Sequence, residues 1–205
     1  MKNNNFCLLV RGKPCSGKST IVDNVSFART VILDPDLINK KGLEYKNFQP
    51  RQNKNPNEMV KMYCYLFNKA DNAVGKGFNV IWMQPWSRIA EIELTIRNFG
   101  FYHTKSNNNI WIENINGILK ALPFTFAVFE IDVTDKLSME RFIIRNNGST
   151  PEETNRLTKT NKLFQKFSLN TPYLKISGNN GKENCLKRLN SYISTLINPD
   201  KDTNG

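Results

Sequence analysis

The sequence predicts an α/β chain: five parallel strands in one sheet, helices on both faces, and a helical lid at one edge. Three observations carry that expectation. Short apolar runs alternate with longer stretches of helical periodicity along nearly the whole chain, the pattern of strands joined by crossover helices. The first run leads into a glycine-rich stretch, RGKPCSGKST at 11–20, and the second ends in Asp34-Pro35-Asp36. A chain of 205 residues is long enough for one full core and too short for two large ones, so one domain over 1–198 with a tail at 199–205 is expected.

FCLLV at 6–10 is a continuous apolar run bounded by the glycine stretch, as a strand buried on both faces should be. The helix after Lys18 carries Ile21, Val22, Val25 and Phe27 inward. TVIL at 30–33 is a second buried strand. From Pro56 a long helical pattern (Met59, Met62, Tyr63, Leu66, Phe67, Ala70, Val74) stops at Gly75-Lys76-Gly77. FNVIWM at 78–83 is the third strand, and 87–100 a helix with Ser87 as N-cap and Gly100 just past its end. Residues 101–123 read as an insertion with one helix. TFAVFEIDV at 125–133 is the fourth strand, 136–146 a helix, and 151–167 another helix with Pro151 in its first turn. YLKIS at 173–177 and Lys182–Ile197 supply the fifth strand and the closing helix.

Composition narrows the function classes. No apolar run approaches the ~20 residues of a membrane helix, and the apolar start runs directly into the glycine stretch, as a first strand rather than a signal peptide. A cytoplasmic chain is expected. Cys7, Cys15, Cys64 and Cys185 form no C-x-x-C pair, and His103 is the single histidine, so neither a zinc site nor a disulfide framework is indicated. Cys15 reads as a small residue filling a loop position rather than a redox group. The net charge of +11 suits a polyanionic partner such as nucleic acid. The abundance of Asn and Lys throughout is equally the mark of a biased gene composition.

The stretch from Gly12 to Ser19 has the spacing G-x-x-x-x-G-K-S. Between a strand and a helix, this turn aims backbone N–H groups and the positive end of the helix dipole at one small volume, which suits a phosphate chain. Gly12, Lys13, Pro14, Cys15, Ser16 and Gly17 form the cradle; Lys18 reaches the β- and γ-phosphates, Ser19 offers a hydroxyl to Mg²⁺, and Thr20 begins the helix. A nucleotide with its phosphate chain and Mg²⁺ are the expected cofactors.

The elements beyond the loop favour a kinase over a motor. The third strand ends in Gln84 where a motor would place an acid, whereas the second ends in two carboxylates at the edge where open parallel sheets bind ligands. A carboxylate there can take the proton of an attacking hydroxyl while Mg²⁺ and lysine neutralise the phosphoryl group. Taken alone, Asp34-Pro35-Asp36 equally caps a strand and starts a helix. Arg141 and Arg145 lie one turn apart on one helix face, before the flexible Asn-Asn-Gly-Ser, and can hold phosphate oxygens in a lid over 135–160. The segment 37–57 mixes Lys40, Lys41, Lys46, Arg51 and Lys54 with Tyr45 and Phe48, which fits a single-stranded nucleic acid, a small-molecule acceptor or a solvated loop. Trp86 and Arg88, beyond the third strand, are expected to wall an acceptor pocket, while Trp82 is equally a core residue.

Together GKPCSGKS, ILDPD and FEIDVTDKLSMERFIIRNNGSTPEE resemble the P-loop kinases of the bacteriophage polynucleotide 5′-kinase and zeta-toxin type, over about residues 6–178. The resemblance implies a kinase-type P-loop fold, with Asp36 as the base activating a 5′-hydroxyl and Lys18, Arg141 and Arg145 as catalytic cations. Where that family carries Arg or Lys three residues after the base, this chain has Asn39; where it ends the third strand in Asp, this chain has Gln84. Both departures fall on the acceptor side. Asp34 and Asp132 are the carboxylates available to stand near Mg²⁺. The expected function is ATP-dependent phosphoryl transfer to a nucleic-acid hydroxyl, a 5′ end or a modified base. The alternatives are a small-molecule kinase, acting on a nucleotide, nucleotide sugar or antibiotic, and a nucleotide-binding regulator that transfers nothing.

Overall fold

A computed structural model describes residues 5–35, 56–103 and 114–198. Strands β1 (Phe6–Arg11), β2 (Thr30–Leu33), β3 (Asn79–Met83), β4 (Thr125–Asp132) and β5 (Tyr173–Ser177) form one sheet in the order β2-β3-β1-β4-β5. Every pairing is parallel. β1 is therefore central, and its carboxyl end sits where the chain order reverses, the position at which open α/β sheets bind ligands.

Alternate residues of the strands feed two cores. Cys7, Leu9, Val80, Trp82 and Val128 face α2 (Pro56–Gly75), α3 (Ile89–His103) and α4 (Ile115–Ala121), meeting Leu66, Phe67, Ile92 and Phe99. Phe6, Leu8, Val10, Ile81 and Phe129 face α1 (Lys18–Val22) and α7 (Lys182–Ile197), meeting Ile21, Leu189 and Ile193. Both faces of the sheet are covered, as expected. Phe99 packs its ring against Phe67, Phe124 and Phe126, and its truncation to alanine would cost about 3–5 kcal/mol. α5 (Asp135–Arg145) and α6 (Pro151–Lys162) stand over the carboxyl edge. Thr134 caps α5 through the Leu137 N–H, and Thr150 and Glu153 form a reciprocal capping box on α6.

Four boundaries differ from expectation by more than one residue. α1 stops at Val22, although Val25 and Phe27 still pack on the core beyond it. α3 starts at Ile89, without Ser87 as its cap, because the Ile89 N–H donates to the side chain of Gln165, far away in sequence. Gly100 lies inside α3 rather than past its end. A Cβ there would come within 2.7 Å of Ile118 Cγ2, so the glycine admits α4 instead of ending the helix. α6 ends at Lys162, five residues early, because Phe164, Gln165 and Phe167 are taken up by contacts with the sheet edge. Among the described residues no helix is long and apolar enough to cross a membrane.

Candidate active site

The phosphate loop joins β1 to α1 and has the backbone that its glycines permit. Gly12 has φ of 157°, and a Cβ on it would come within 2.6 Å of both the Ile131 carbonyl oxygen and Ser16 Oγ. Gly17, at φ 97°, is the residue before α1, and Cys15 adopts a left-handed φ of 58°. A filled side chain at Gly12 would push the loop off β4. Lys18 extends back over the loop, its Nζ donating to the carbonyls of Gly12 at 2.8 Å and Lys13 at 3.1 Å. Ser19 and Thr20 are exposed at the start of α1, where the Ser19 hydroxyl is free to meet a hydrated cation. Asp34 follows β2 and is buried. A cradle that only glycine fits, a lysine resting on its rim and an accessible hydroxyl suit a triphosphate with Mg²⁺. Among the described residues, no cluster of three acidic, histidine or cysteine side chains offers a separate metal site.

One face of α5 is fastened along this loop. Asp135 accepts from Lys13 Nζ at 2.7 Å, and Ser138 Oγ donates to the Pro14 carbonyl at 2.8 Å. Arg141 donates to the carbonyls of Ser16 at 3.3 Å and Gly178 at 2.9 Å. These side chains recur every three residues and so share one helix stripe. Arg145 continues that stripe one turn further, exposed and without a hydrogen bond or ion pair to any described residue. The two arginines, expected to act together, are thus divided. Arg141 is occupied in holding the loop and β5, while the guanidinium of Arg145 is left available by the described residues. Asn161 of α6 donates to Ser138 Oγ, which ties the second lid helix to the first.

Gln84, Trp86 and Arg88, the residues expected on the acceptor side, occupy the turn between β3 and α3. Gln84 is half-buried, and its N–H donates to the Val10 carbonyl at 3.4 Å. Trp86 has φ of 47°, a strained value for a bulky residue. Its ring is buried, meeting Trp82 edge-on at 5.0 Å, so in this structure it packs into the core rather than presenting an open wall. Arg88 is exposed. Asp36, Asn39 and nearly all of the 37–57 segment lie outside the described residues, as do 104–113 of the insertion and the 199–205 tail.

Sequence reasoning missed a buried charge cluster beneath the site. Arg11, fully buried, has Nε 3.4 Å from Glu130 Oε2 and donates from Nη2 to the Gln165 carbonyl at 2.7 Å. Its guanidinium lies 4.3 Å from the centre of the Phe164 ring. Burial lowers the affinity of Arg11 for its proton, and Glu130 opposes that shift. Glu130 also accepts from the Tyr173 hydroxyl, whose pKa is driven up first by burial and then by that carboxylate. Lys175 closes the cluster, 2.8 Å from Asp132 and 3.6 Å from Glu130; its bond to Asp132 raises its pKa. Asp132 is thereby paired with a lysine. A signal was present in the sequence: two charges interrupt the apolar runs of β1 and β4 just before the sheet edge, and Arg11 lies opposite Glu130 in register.

No protein-family model matches the chain, and no curated protein matches it in sequence. Solved structures do match its fold. A protein of Chloroflexus aurantiacus described as a kinase superposes with a TM-score of 0.63 at 13% identity, covering 94% of this chain and 98% of that one. A sugar kinase from Janibacter sp. HTCC2649 gives 0.58 at 12% identity, with 95% and 96% covered. A gluconokinase from Sinorhizobium meliloti gives 0.57 at 10% identity, with 96% and 95% covered. The correspondence extends over whole chains, and with it the five-stranded parallel sheet and its helical layers are those of the P-loop kinase fold.

Proposed function

We propose that this chain is an ATP-dependent phosphotransferase that moves the γ-phosphoryl group to a hydroxyl of a small molecule. The observation that carries this reading is the preformed phosphate loop with an uncommitted arginine, Arg145, one turn beyond the helix stripe that clamps it. Bound ATP with Mg²⁺ would supply the phosphoryl group and a divalent charge to offset the negative charge of the phosphates. The loop N–H groups and Lys18 hold the triphosphate, the Ser19 hydroxyl faces the cation, and Arg145 meets charge that develops during transfer. Asp36, by its place in ILDPD, takes the proton of the acceptor hydroxyl. The names of the sugar kinase and gluconokinase among the neighbours favour a small acceptor over a polymer.

A nucleic-acid hydroxyl is the second reading, favoured by the net charge of +11. Purified protein, γ-labelled ATP and Mg²⁺ separate the two when offered sugars, sugar acids, nucleosides, nucleotide sugars and antibiotics beside 5′-hydroxyl oligonucleotides. Label on a small molecule is expected. Label on oligonucleotides alone would move the assignment to the second reading, and ATP binding without any transfer would leave a nucleotide-binding regulator. Asp36→Asn should cut transfer by about 10²–10⁴-fold while ATP affinity is kept; undiminished transfer would remove Asp36 as the base.

A further inference from the structure

Residues 163–169 leave α6 and cross the carboxyl edge of the sheet before β5 begins. One residue in this strap, Gln165, holds two other segments at once. Its backbone N–H donates to the Ser87 carbonyl at 2.8 Å, and its side-chain Oε1 accepts from the Ile89 N–H at 2.8 Å. Its carbonyl accepts from Arg11 Nη2 at 2.7 Å. The first two bonds secure the acceptor-side turn and the first turn of α3; the third reaches the strand that carries the phosphate loop. Direct bonds between those regions are longer, 3.4 Å from the Gly12 N–H to the Pro85 carbonyl and 3.4 Å from the Gln84 N–H to the Val10 carbonyl, near the limit of a useful hydrogen bond. Between the anchored Pro85 and Ser87 sits Trp86 at φ 47°, a conformation that persists only where its surroundings over-determine it.

We propose that Gln165 is a positioning residue that transmits nucleotide occupancy from the lid to the acceptor-side turn. The inference rests on the nucleotide reading of the phosphate loop. α5 is bonded to that loop through Asp135, Ser138 and Arg141, α6 is bonded to α5 through Asn161, and α6 runs directly into the strap. A nucleotide that draws Arg145 and α5 inward therefore fixes the strap, and Gln165 fixes the turn holding Gln84 and Arg88. The Gln165 side chain is exposed, so its removal spares the core.

The test is amide hydrogen exchange on the full chain with and without Mg²⁺ and the β,γ-imido analogue of ATP. In the wild type the analogue should slow exchange at 12–20 and at 84–92. Gln165→Ala keeps the backbone bonds but removes the acceptor for Ile89; it should retain slowing at 12–20 and lose it at 84–92. Gln165→Glu restores an acceptor at a helix N-terminus, where a carboxylate is favourable, and should recover it. Wild-type behaviour in Gln165→Ala would overturn the proposal, as would slowing confined to 12–20 in the wild type or no recovery in Gln165→Glu. Absence of slowing at 12–20 in the wild type would instead defeat the nucleotide reading, and this inference with it.

Discussion

The two sides of the carboxyl edge are built differently. The proposed phosphate side is local: Gly12 to Ser19 lie within one loop, and its backbone N–H groups would do most of the binding. The acceptor side is assembled from distant pieces. The β3–α3 turn carries Gln84 and Arg88, a strap from much later in the chain secures it, and the proposed base, Asp36, belongs to yet another part of the sequence. A phosphate chain is a ligand that any suitably bent run of N–H groups can hold, whereas a hydroxyl acceptor is selected by side chains converging from several elements. One side is therefore a motif, the other an arrangement.

The largest expected effect breaks the local side. Gly12→Ala places a methyl against the Ile131 carbonyl and Ser16, and a displacement of that order should cost ATP affinity about 100-fold, measured by calorimetric titration, while the far core is untouched. The lid arginines come next and should separate cleanly. Arg145→Ala is expected to lower kcat by about 10²-fold with ATP affinity nearly kept. Arg141→Ala should lower ATP affinity and also stability, by about 1.5–3 kcal/mol for bonds made by a charged donor, read in denaturant titrations. Equal losses in both variants would mean that the stripe does not divide as the structure divides it.

Legibility in the sequence divides along the same line. The five strands and their parallel pairing are readable because each is a short apolar run joined to helical periodicity. The turn from Gly12 to Ser19 between β1 and α1 is readable because its glycine spacing dictates its backbone. The Gly100 position is not: a glycine near a helix end signals a stop, and only the approach of Ile118 shows that it is a packing notch. Nor is the early end of α6, since Leu163, Phe164 and Phe167 continue a helical apolar pattern. The partners of the two phenylalanines, Arg11 and Tyr173, come from strands, and no local pattern records those contacts. Trp86 reads as a wall from its place after β3, but its left-handed backbone turns the ring into the core.

Effects on stability, read separately from those on binding and turnover, sharpen the contrast between the buried support and the exposed lid. Arg11→Met removes one partner of a buried pair and should cost about 3–5 kcal/mol, with part recovered by adding Glu130→Leu; thermal or denaturant melts of the single and double variants decide it. The smallest effect belongs to the α6 capping box. The Thr150 backbone N–H, and then its hydroxyl, hold the Glu153 carboxyl below its ordinary pKa. Because the folded value lies below the unfolded one, the box stabilises above the ordinary glutamate pKa of about 4.3. That contribution fades as pH falls through the folded value. The wild type should melt above Glu153→Gln at neutral pH, and the gap should close in acid.

The central place of β1 has a consequence for how the chain comes to be folded. β1 leaves the ribosome before both of its neighbours, Asn79–Met83 on one side and Thr125–Asp132 on the other. The close approach that shapes Gly12 and the carboxylate that neutralises Arg11 both come from that later partner. A nascent chain that ends before β4 holds the whole phosphate-binding motif yet lacks the wall it is pressed against. Long-range parallel pairing of this kind is slow to form, so nucleotide binding should emerge only once β4 has joined the sheet.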